Sequence, residues 1–200
     1  MSRPTRIVLA SGSAIRDTLL RGAGVAFDVI PPRADEEAAK AKLVAEGASP
    51  EKVAAMLAAL KAMDVAAREK GLVIGCDQTL DLDGELIGKA VDLAEARYRL
   101  LQLRGRRHRL HSAVVVAEKG APVWRASRTA HLSMRVFSEA FLDGYLERQG
   151  AKILSSVGCY QLEGEGVQLF DAIDGDYFTI LGLPLLALLE FLRERGVVPA

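Results

Sequence analysis

Residues Val73 to Leu80 read VIGCDQTL, and this stretch decides how the rest of the chain can be arranged. It begins as an apolar run typical of a buried strand, and then a glycine, a carboxylate and an amide interrupt it. A few residues later, the turn dipeptide Asp83-Gly84 predicts a hairpin, and Gly88-Lys89 follows its second arm. A hairpin requires antiparallel pairing, so the sheet that contains this strand must be antiparallel or mixed.

Predicted strands and helices follow one another in both orders on either side of this stretch, without a repeat or a flexible linker. Apolar runs bounded by turn residues predict strands at 6–10, 25–30, 110–117, 123–136 and 167–173. Helical spacing and capping residues predict helices at 14–22, 35–46, 50–70 and 92–104, one beginning after Ser138 and one from 184 to 196. The predicted class is mixed α/β with a twisted sheet, and residues 1–200 are expected to form a single domain.

The composition argues against several classes of protein. Half of the residues are hydrophobic, which allows a sizeable core, and 26 basic residues balance 26 acidic ones. A chain with balanced charge has no general reason to bind nucleic acid or an anionic membrane, so neither is expected as a partner. The two cysteines have no spacing typical of a zinc site. The sequence has no signal-peptide pattern and no run of about 18 apolar residues, so we expect a cytoplasmic protein.

Two segments of the chain carry polar residues that could bind a ligand or take part in catalysis. Ser11-Gly12-Ser13 separates a strand from a helix, and such a turn exposes backbone N–H groups that favour phosphate. An ordinary helix N-cap by Ser13 explains the same residues and is the commoner arrangement. Arg16, in the first turn of that helix, could reach an anion held by the turn.

The second segment contains Asp77. A carboxylate in an apolar strand costs free energy unless it is paired, metal-bound or in a pocket, so Asp77 requires an explanation. Structural and functional explanations of Asp77 are evenly balanced until its neighbours are considered. Lys89, across the hairpin, could face the same cleft as Asp77. A carboxylate, a lysine and a phosphate-favouring turn together suit a metal-bound polyphosphate.

In order and spacing, the motifs of this chain resemble those of the Maf family of nucleoside triphosphate pyrophosphatases over nearly the whole length. The resemblance is carried by LAS-x-S at Leu9–Ser13, D-E at Asp35-Glu36, Lys61, G-x-D-x at Gly75–Gln78, DGE-x-x-GK at Asp83–Lys89, E-G-x-G at Glu163–Gly166, DGDYF at Asp174–Phe178 and GLPL at Gly182–Leu185. Each piece alone is weak, and the complete series is specific.

The resemblance implies an elongated, two-lobed fold similar to that of the inosine triphosphatases, with an active-site cleft between the lobes. It also implies cleavage of the α–β phosphoanhydride of a nucleoside triphosphate, a divalent metal (Mg, Mn or Co) and often a homodimer. By motif, the implied roles are water activation by Asp77, metal binding by Glu36 and Asp77, and triphosphate binding by Ser11, Ser13, Arg16, Lys61 and Lys89. From the residues alone, Glu36 and Lys61 look like ordinary charges on helices.

The residue after the catalytic Asp and the first residue of the E-G-x-G loop vary with substrate in this family. The pair Gln78 and Glu163 is similar to the branch that acts on 7-methyl-GTP, whereas Thr and Gln are typical of the branch for dTTP and UTP. A carboxylate can accept from both donors on the guanine edge, which is worth about 1–3 kcal/mol of discrimination. Because 7-methylguanine is cationic, a nearby Glu163 also gains electrostatically.

The chain departs from the family pattern after Ser13, where the usual proline is missing. Ile15 replaces the Arg or Trp that helps to set base preference, so no aromatic face is available there for a cationic base. Asp17 replaces an Arg and lowers the positive charge near the phosphates. These departures leave two alternatives open: the same chemistry on another base, such as a pyrimidine, or a nucleotide-binding regulator of cell division with little catalysis.

Neighbouring residues of a regular strand point to opposite faces of the sheet. Asp77 and Gln78 are both expected in the substrate pocket. We therefore expect the strand to twist or bulge at this point.

Overall fold

The computed structural model describes residues 5–199, and these form a mixed sheet of seven strands with helices on both faces. The strands are β1 Ile7–Ala10, β2 Asp28–Val29, β3 Leu72–Leu82, β4 Glu85–Ile87, β5 Arg107–Glu118, β6 Ala121–Met134 and β7 Phe170–Asp174. The helices are α1 Ala14–Gly22, α2 Glu36–Ala45, α3 Pro50–Ala66, α4 Leu93–Leu103, α5 Glu139–Gln149, α6 Tyr177–Ile180 and α7 Leu185–Glu194. None of the helices in the described part of the chain is both long and apolar enough to cross a bilayer.

The strand order is β2-β1-β3-β5-β6-β7, and the short β4 pairs with the far end of β3. β1 runs parallel to β2 and to β3, while β3, β5, β6 and β7 pair antiparallel in succession. The hairpin between β3 and β4 turns at Asp83 and Gly84, whose φ angles of 54° and 92° are both positive, as in a type I′ turn. The predicted mixed α/β class is confirmed.

β3 is buried on both faces along its first half, which explains its continuous apolar run. Leu72 and Ile74 pack with α1 and α7 on one face, while Val73 packs against α3 on the other. Gly75 allows α3 to lie directly on the strand, because a Cβ at Gly75 would be 2.3 Å from the carbonyl oxygen of Ala58. This close approach places α3 beside the polar residues that follow in β3.

A second hydrophobic cluster covers the other end of the sheet. It joins the end of β3 and the start of β5 to α4, to α5 and to two 3-10 helices, Gly150–Ser155 and Glu165–Leu169. The two-lobed, elongated form of a single domain stays a prediction, and residues 1–4 and 200 of its range lie outside the described residues.

Several predicted boundaries were wrong. The strand expected at 25–30 contains only Asp28–Val29, and the helix expected to reach 70 ends at Ala66. The strand expected from 167 begins at Phe170 because the preceding residues form the second 3-10 helix. The sequence did not predict α6, which Asp176 caps by accepting from the backbone N–H of Thr179.

At Asp77 and Gln78 we expected the strand to twist or bulge; the pairing of β3 with β5 shows no bulge there, and the twist stays a prediction. β3 pairs with β5 in unbroken register from Leu72 to Asp81, and the irregularities in the sheet lie between other strands. The opposite edge of β3 supplies the physical reason. β1 pairs with β3 only as far as Gly75, and β4 begins to pair at Leu80.

Candidate active site

A cleft of about 840 Å³ lies at the gap along the edge of β3, between the end of β1 and the start of β4. Its walls come from the turn before α1, the first turn of α2, α3, the second arm of the hairpin and residues 155–163. Because no strand of the described residues pairs with this part of the edge of β3, side chains from both faces of the strand reach the cleft. Asp77 and Gln78 therefore both line it without a bulge.

All ten residues singled out in the sequence line this one cleft. They are Ser11, Ser13, Ile15, Arg16, Glu36, Lys61, Asp77, Gln78, Lys89 and Glu163. Asp17, the other departure from the family pattern, is not among the lining residues. Its carboxylate lies 3.0 Å from Nε of Arg21, one turn along α1, so its charge is neutralised locally.

The ammonium of Lys61 joins two carboxylates at the centre of the cleft. It lies 2.8 Å from Oδ1 of Asp77 and 2.7 Å from Oε2 of Glu36. Side-chain exposure is 8% for Lys61 and 13% for Asp77, so this pair is well shielded from solvent. The other oxygens of the two carboxylates, Asp77 Oδ2 and Glu36 Oε1, have no hydrogen-bond partner among the described residues.

Glu36 and Asp77 offer oxygen ligands of the kind that Mg²⁺ and Mn²⁺ prefer. Within residues 5–199, no group of three or more His, Cys, Asp or Glu side chains could surround a metal. Magnesium commonly binds one or two carboxylates and completes its shell with water and substrate phosphates. The donor set therefore fits a cation that protein and nucleotide hold together.

The turn before α1 leaves the N-terminus of the helix at the cleft. Ser13 occupies the N-cap position, but its side chain makes no capping hydrogen bond. Its backbone N–H instead donates to Oγ of Ser11 at 3.2 Å. The N-terminus of α1, with its partial positive charge, consequently lines the cleft without a side-chain cap.

Arg16 is buried and anchored from two sides. Its Nε donates to the carbonyl oxygen of Gly182 at 2.8 Å, and Nη1 donates to that of Cys76 at 3.0 Å. Gly182 has a φ of 92°, and a Cβ there would lie 3.3 Å from Nη2 of Arg16. The glycine of the GLPL motif thus provides both a carbonyl and the room for this guanidinium, and sequence reasoning had not assigned it a role.

Gln78 connects the cleft to the element behind it. Its Nε2 lies within 3.0 Å of Oγ of Ser112 and of the carbonyl oxygens of Thr179 and Ile180. The amide nitrogen is therefore occupied by β5 and α6, whereas Oε1 has no partner among the described residues. Gln78 fixes the position of α6 as well as lining the cleft.

Lys89 and Glu163 are both exposed, and the structure shows no ion pair or hydrogen bond from either side chain to another described residue. Lys89 follows the second arm of the hairpin, and Glu163 lies in the turn before the second 3-10 helix. Their charges are available to a ligand.

Sequence reasoning missed a buried pair behind the wall that carries Glu163. The phenol of Tyr160, which lines the cleft, lies 2.7 Å from Nε2 of His108. Burial lowers the pKa of His108 to about 4, so its ring is neutral at physiological pH. The two residues are 52 positions apart, and no local pattern could have joined them.

Cys76 adjoins Asp77 but is not a candidate nucleophile. The thiol is fully buried, and burial raises its pKa to about 11. It remains protonated at neutral pH and packs as a small apolar side chain in the cluster with α1 and α7.

Comparison with known proteins gives a family match over almost the whole chain. The family described as Maf-like protein matches residues 6–195. A nucleoside triphosphate pyrophosphatase of Caulobacter vibrioides is 59% identical over 97% of this chain and 98% of that protein. A 7-methyl-GTP pyrophosphatase of Mesorhizobium japonicum is 48% identical over 96% and 98%, respectively. Among solved structures, a dITP/XTP pyrophosphatase of Mycobacterium abscessus aligns over 97% of this chain and 98% of its own, with 14% identity and a TM-score of 0.42.

Proposed function

This chain belongs to the Maf family, and from that membership we propose that it is a metal-dependent nucleoside triphosphate pyrophosphatase that prefers 7-methyl-GTP or another modified nucleotide. Pyrophosphatase activity, the hydrolysis of an acid anhydride, is supported by the relatives from Caulobacter and Mesorhizobium. The choice of base and the need for a metal are the parts that we add. The single observation that carries the base preference is the carboxylate of Glu163 in the cleft wall, which has no ion-pair partner within residues 5–199.

Asp77 would activate the attacking water. Lys61 holds its Oδ1, so the carboxylate cannot rotate freely, and Oδ2 is left to accept a proton. The water oxygen bonds to the α-phosphorus, the bond from that phosphorus to the bridging oxygen breaks, and pyrophosphate leaves. The proton goes to Asp77, and a positioned base of this kind typically contributes a factor of about 10²–10⁴ to the rate.

Glu36 and Asp77 would hold the divalent cation together with the phosphate chain. A bound cation would supply charge neutralisation at the phosphate oxygens. Arg16, Ser11 and the N-terminus of α1 would bind phosphate oxygens with donors fixed before the substrate arrives.

Lys61 and a metal ion would compete for the same two carboxylates when no nucleotide is present. Replacing Lys61 with methionine is therefore expected to tighten Mn²⁺ binding to the nucleotide-free protein by about tenfold, which is about 1.4 kcal/mol. The same variant should lose activity because the triphosphate loses a cation. Electron paramagnetic resonance of free Mn²⁺ measures the affinity directly. Lys52→Met, an exposed change on the same helix, is the control, and equal affinities for the two variants would contradict the competition.

Glu163 would read the base. Guanine presents N1–H and an exocyclic amine, and one carboxylate can accept from both, for about 1–3 kcal/mol of discrimination. Methylation at N7 makes the base cationic, which adds an attraction to Glu163. Ile15 would contribute only apolar contact, and the Oε1 of Gln78 is a further acceptor in the cleft.

Pyrophosphate release from a panel of nucleoside triphosphates with Mg²⁺ or Mn²⁺ tests the proposed reaction. We expect 7-methyl-GTP, or another modified purine, to give the highest kcat/KM. A folded protein that releases pyrophosphate from none of the nucleotides would exclude the function.

Glu163→Gln tests the base preference separately. The preference for the guanine-type nucleotide over UTP should fall about 5- to 150-fold, the equivalent of the 1–3 kcal/mol above. Glu85→Gln, an exposed change on β4 outside the cleft lining, should leave the preference unchanged. If Glu163→Gln also leaves the preferred nucleotide unchanged, the result favours the alternative in which the same reaction acts on another base, such as a pyrimidine.

A further inference from the structure

α2 has no fully buried residue, yet one stripe of it is half-buried and faces α3 and the cleft. This stripe consists of Glu36, Ala39, Lys40 and Leu43, which follow helical spacing. The side chain of Lys40 is 27% exposed, compared with 76% for Lys42 two residues later. A lysine on the inward stripe of such a helix requires an explanation that Lys42 does not.

Lys40 extends across the cleft to the hairpin arm. Its ammonium lies 3.5 Å from the position that a Cβ would take at Gly88. Gly88 directly precedes Lys89, and both lysines line the cleft. The glycine leaves space beside the ammonium that a larger residue would fill.

The charge of Lys40 is only weakly used within the protein. Glu37 is its one ion-pair partner among the described residues, at 3.6 Å, and the side chain of Glu37 is 86% exposed. An exposed pair of this kind contributes little. Lys61, by contrast, is held between two carboxylates. Among the lysines that line the cleft, Lys40 and Lys89 therefore have the least committed charges.

The charge balance of the cleft favours such cations. Its lining contains the cations Arg16, Lys40, Lys61 and Lys89 and the anions Glu36, Glu37, Asp77 and Glu163. These charges cancel, whereas a triphosphate brings several negative charges of its own. A cation that already pairs with carboxylates adds less attraction, so Lys40 and Lys89 would add to the attraction from Arg16, whose side chain is held by neutral carbonyl groups.

We propose that Lys40, on α2, is a further binding residue for the phosphate chain of the substrate. It would act together with Lys89, which follows the second arm of the hairpin. The proposal rests on the proposed function for the identity of the substrate, but its chemistry requires only a polyphosphate. Lys40 contacts phosphate oxygens and not the base. Loss of Lys40 should therefore weaken the binding of every nucleotide by the same factor.

Inorganic tripolyphosphate is the probe, because it presents the phosphate chain without a base. Lys40→Met retains the length of the side chain and removes the charge. We expect its Kd for tripolyphosphate with Mg²⁺, measured by calorimetry, to rise about tenfold, and its KM for each nucleotide to rise by the same factor at unchanged base ranking. Lys40→Arg should restore most of the affinity. Lys42→Met, an exposed change on the same helix, should match the wild type.

The outcomes separate the two levels of the proposal. If Lys40→Met and Lys42→Met bind tripolyphosphate equally well, Lys40 is not a phosphate ligand, whatever the activity of the wild type. If the wild type binds tripolyphosphate in a Lys40-dependent way but releases no pyrophosphate from any nucleotide, the inference stands and the proposed function fails. A base ranking that changes in Lys40→Met would also overturn the inference, because the residue would then contact the base.

Discussion

Replacing Asp77 with asparagine is expected to lower kcat about 10²- to 10⁴-fold for every nucleotide that the wild type hydrolyses. Asparagine has nearly the same shape, and its carbonyl oxygen can still accept from Lys61 at the position of Oδ1. What it lacks is an anionic oxygen that can take a proton from water. The effect should therefore fall on the chemical step, with nucleotide binding retained.

Steady-state kinetics and calorimetric binding of a nucleotide to Asp77→Asn measure the two effects separately. Asp17→Asn is the control, because Asp17 pairs with Arg21 and lies outside the cleft lining, so its activity should stay within about twofold of the wild type. Retention of wild-type kcat by Asp77→Asn would show that another group activates the water. A cell-division phenotype that survives this substitution would favour a regulator that acts by binding.

Asp77 and Lys89 could be placed in one cleft from the sequence because a single hairpin joins them. Between them the chain has only a strand, a type I′ turn and a short return arm, so their relation is local. Glu36 and Lys61 could not be found in this way. Each lies on a helix where an ordinary surface charge is the simpler explanation, and only the family resemblance singled them out.

The long-range contacts that hold the side chains of the cleft could not be predicted from the sequence. Arg16 is held by the carbonyl of Gly182, which is 166 residues away, and Gln78 by that of Thr179, which is 101 residues away. Every residue has a carbonyl group, so the sequence does not distinguish those of Gly182 and Thr179 as hydrogen-bond partners. Lys40 was not predicted for a related reason: the half-buried stripe of α2 can be identified only when the packing of α2 on α3 is known.

The bulge expected at Asp77 and Gln78 followed from a sound rule about alternation in strands. The rule assumes that a strand has neighbours on both edges, so that a pocket can open on only one face. Within residues 5–199, one edge of β3 has no neighbouring strand between the end of β1 and the start of β4, and the cleft opens at that edge. A local pattern cannot show where a distant strand stops pairing.

Replacing Gly75 with alanine is expected to lower the free energy of unfolding by about 1–3 kcal/mol or more. The added Cβ would lie 2.3 Å from the carbonyl oxygen of Ala58 and 2.5 Å from the backbone nitrogen of Ala62. These are backbone atoms of a packed helix and cannot rotate away as a flexible side chain could, so α3 must shift. Urea denaturation at an unchanged m-value measures the loss.

The same substitution should reduce activity, although Gly75 itself does not line the cleft. Lys61 is carried by α3 and Asp77 by β3, so a shift of the helix changes the distance of 2.8 Å that joins their charged groups. Gly22→Ala is the matched control, since a Cβ at this helical position meets nothing within 4 Å. It should leave activity intact and raise stability slightly, by up to about 1 kcal/mol. If Gly75→Ala is as stable and as active as Gly22→Ala, the packing of α3 on β3 does not position Lys61 and Asp77 for activity.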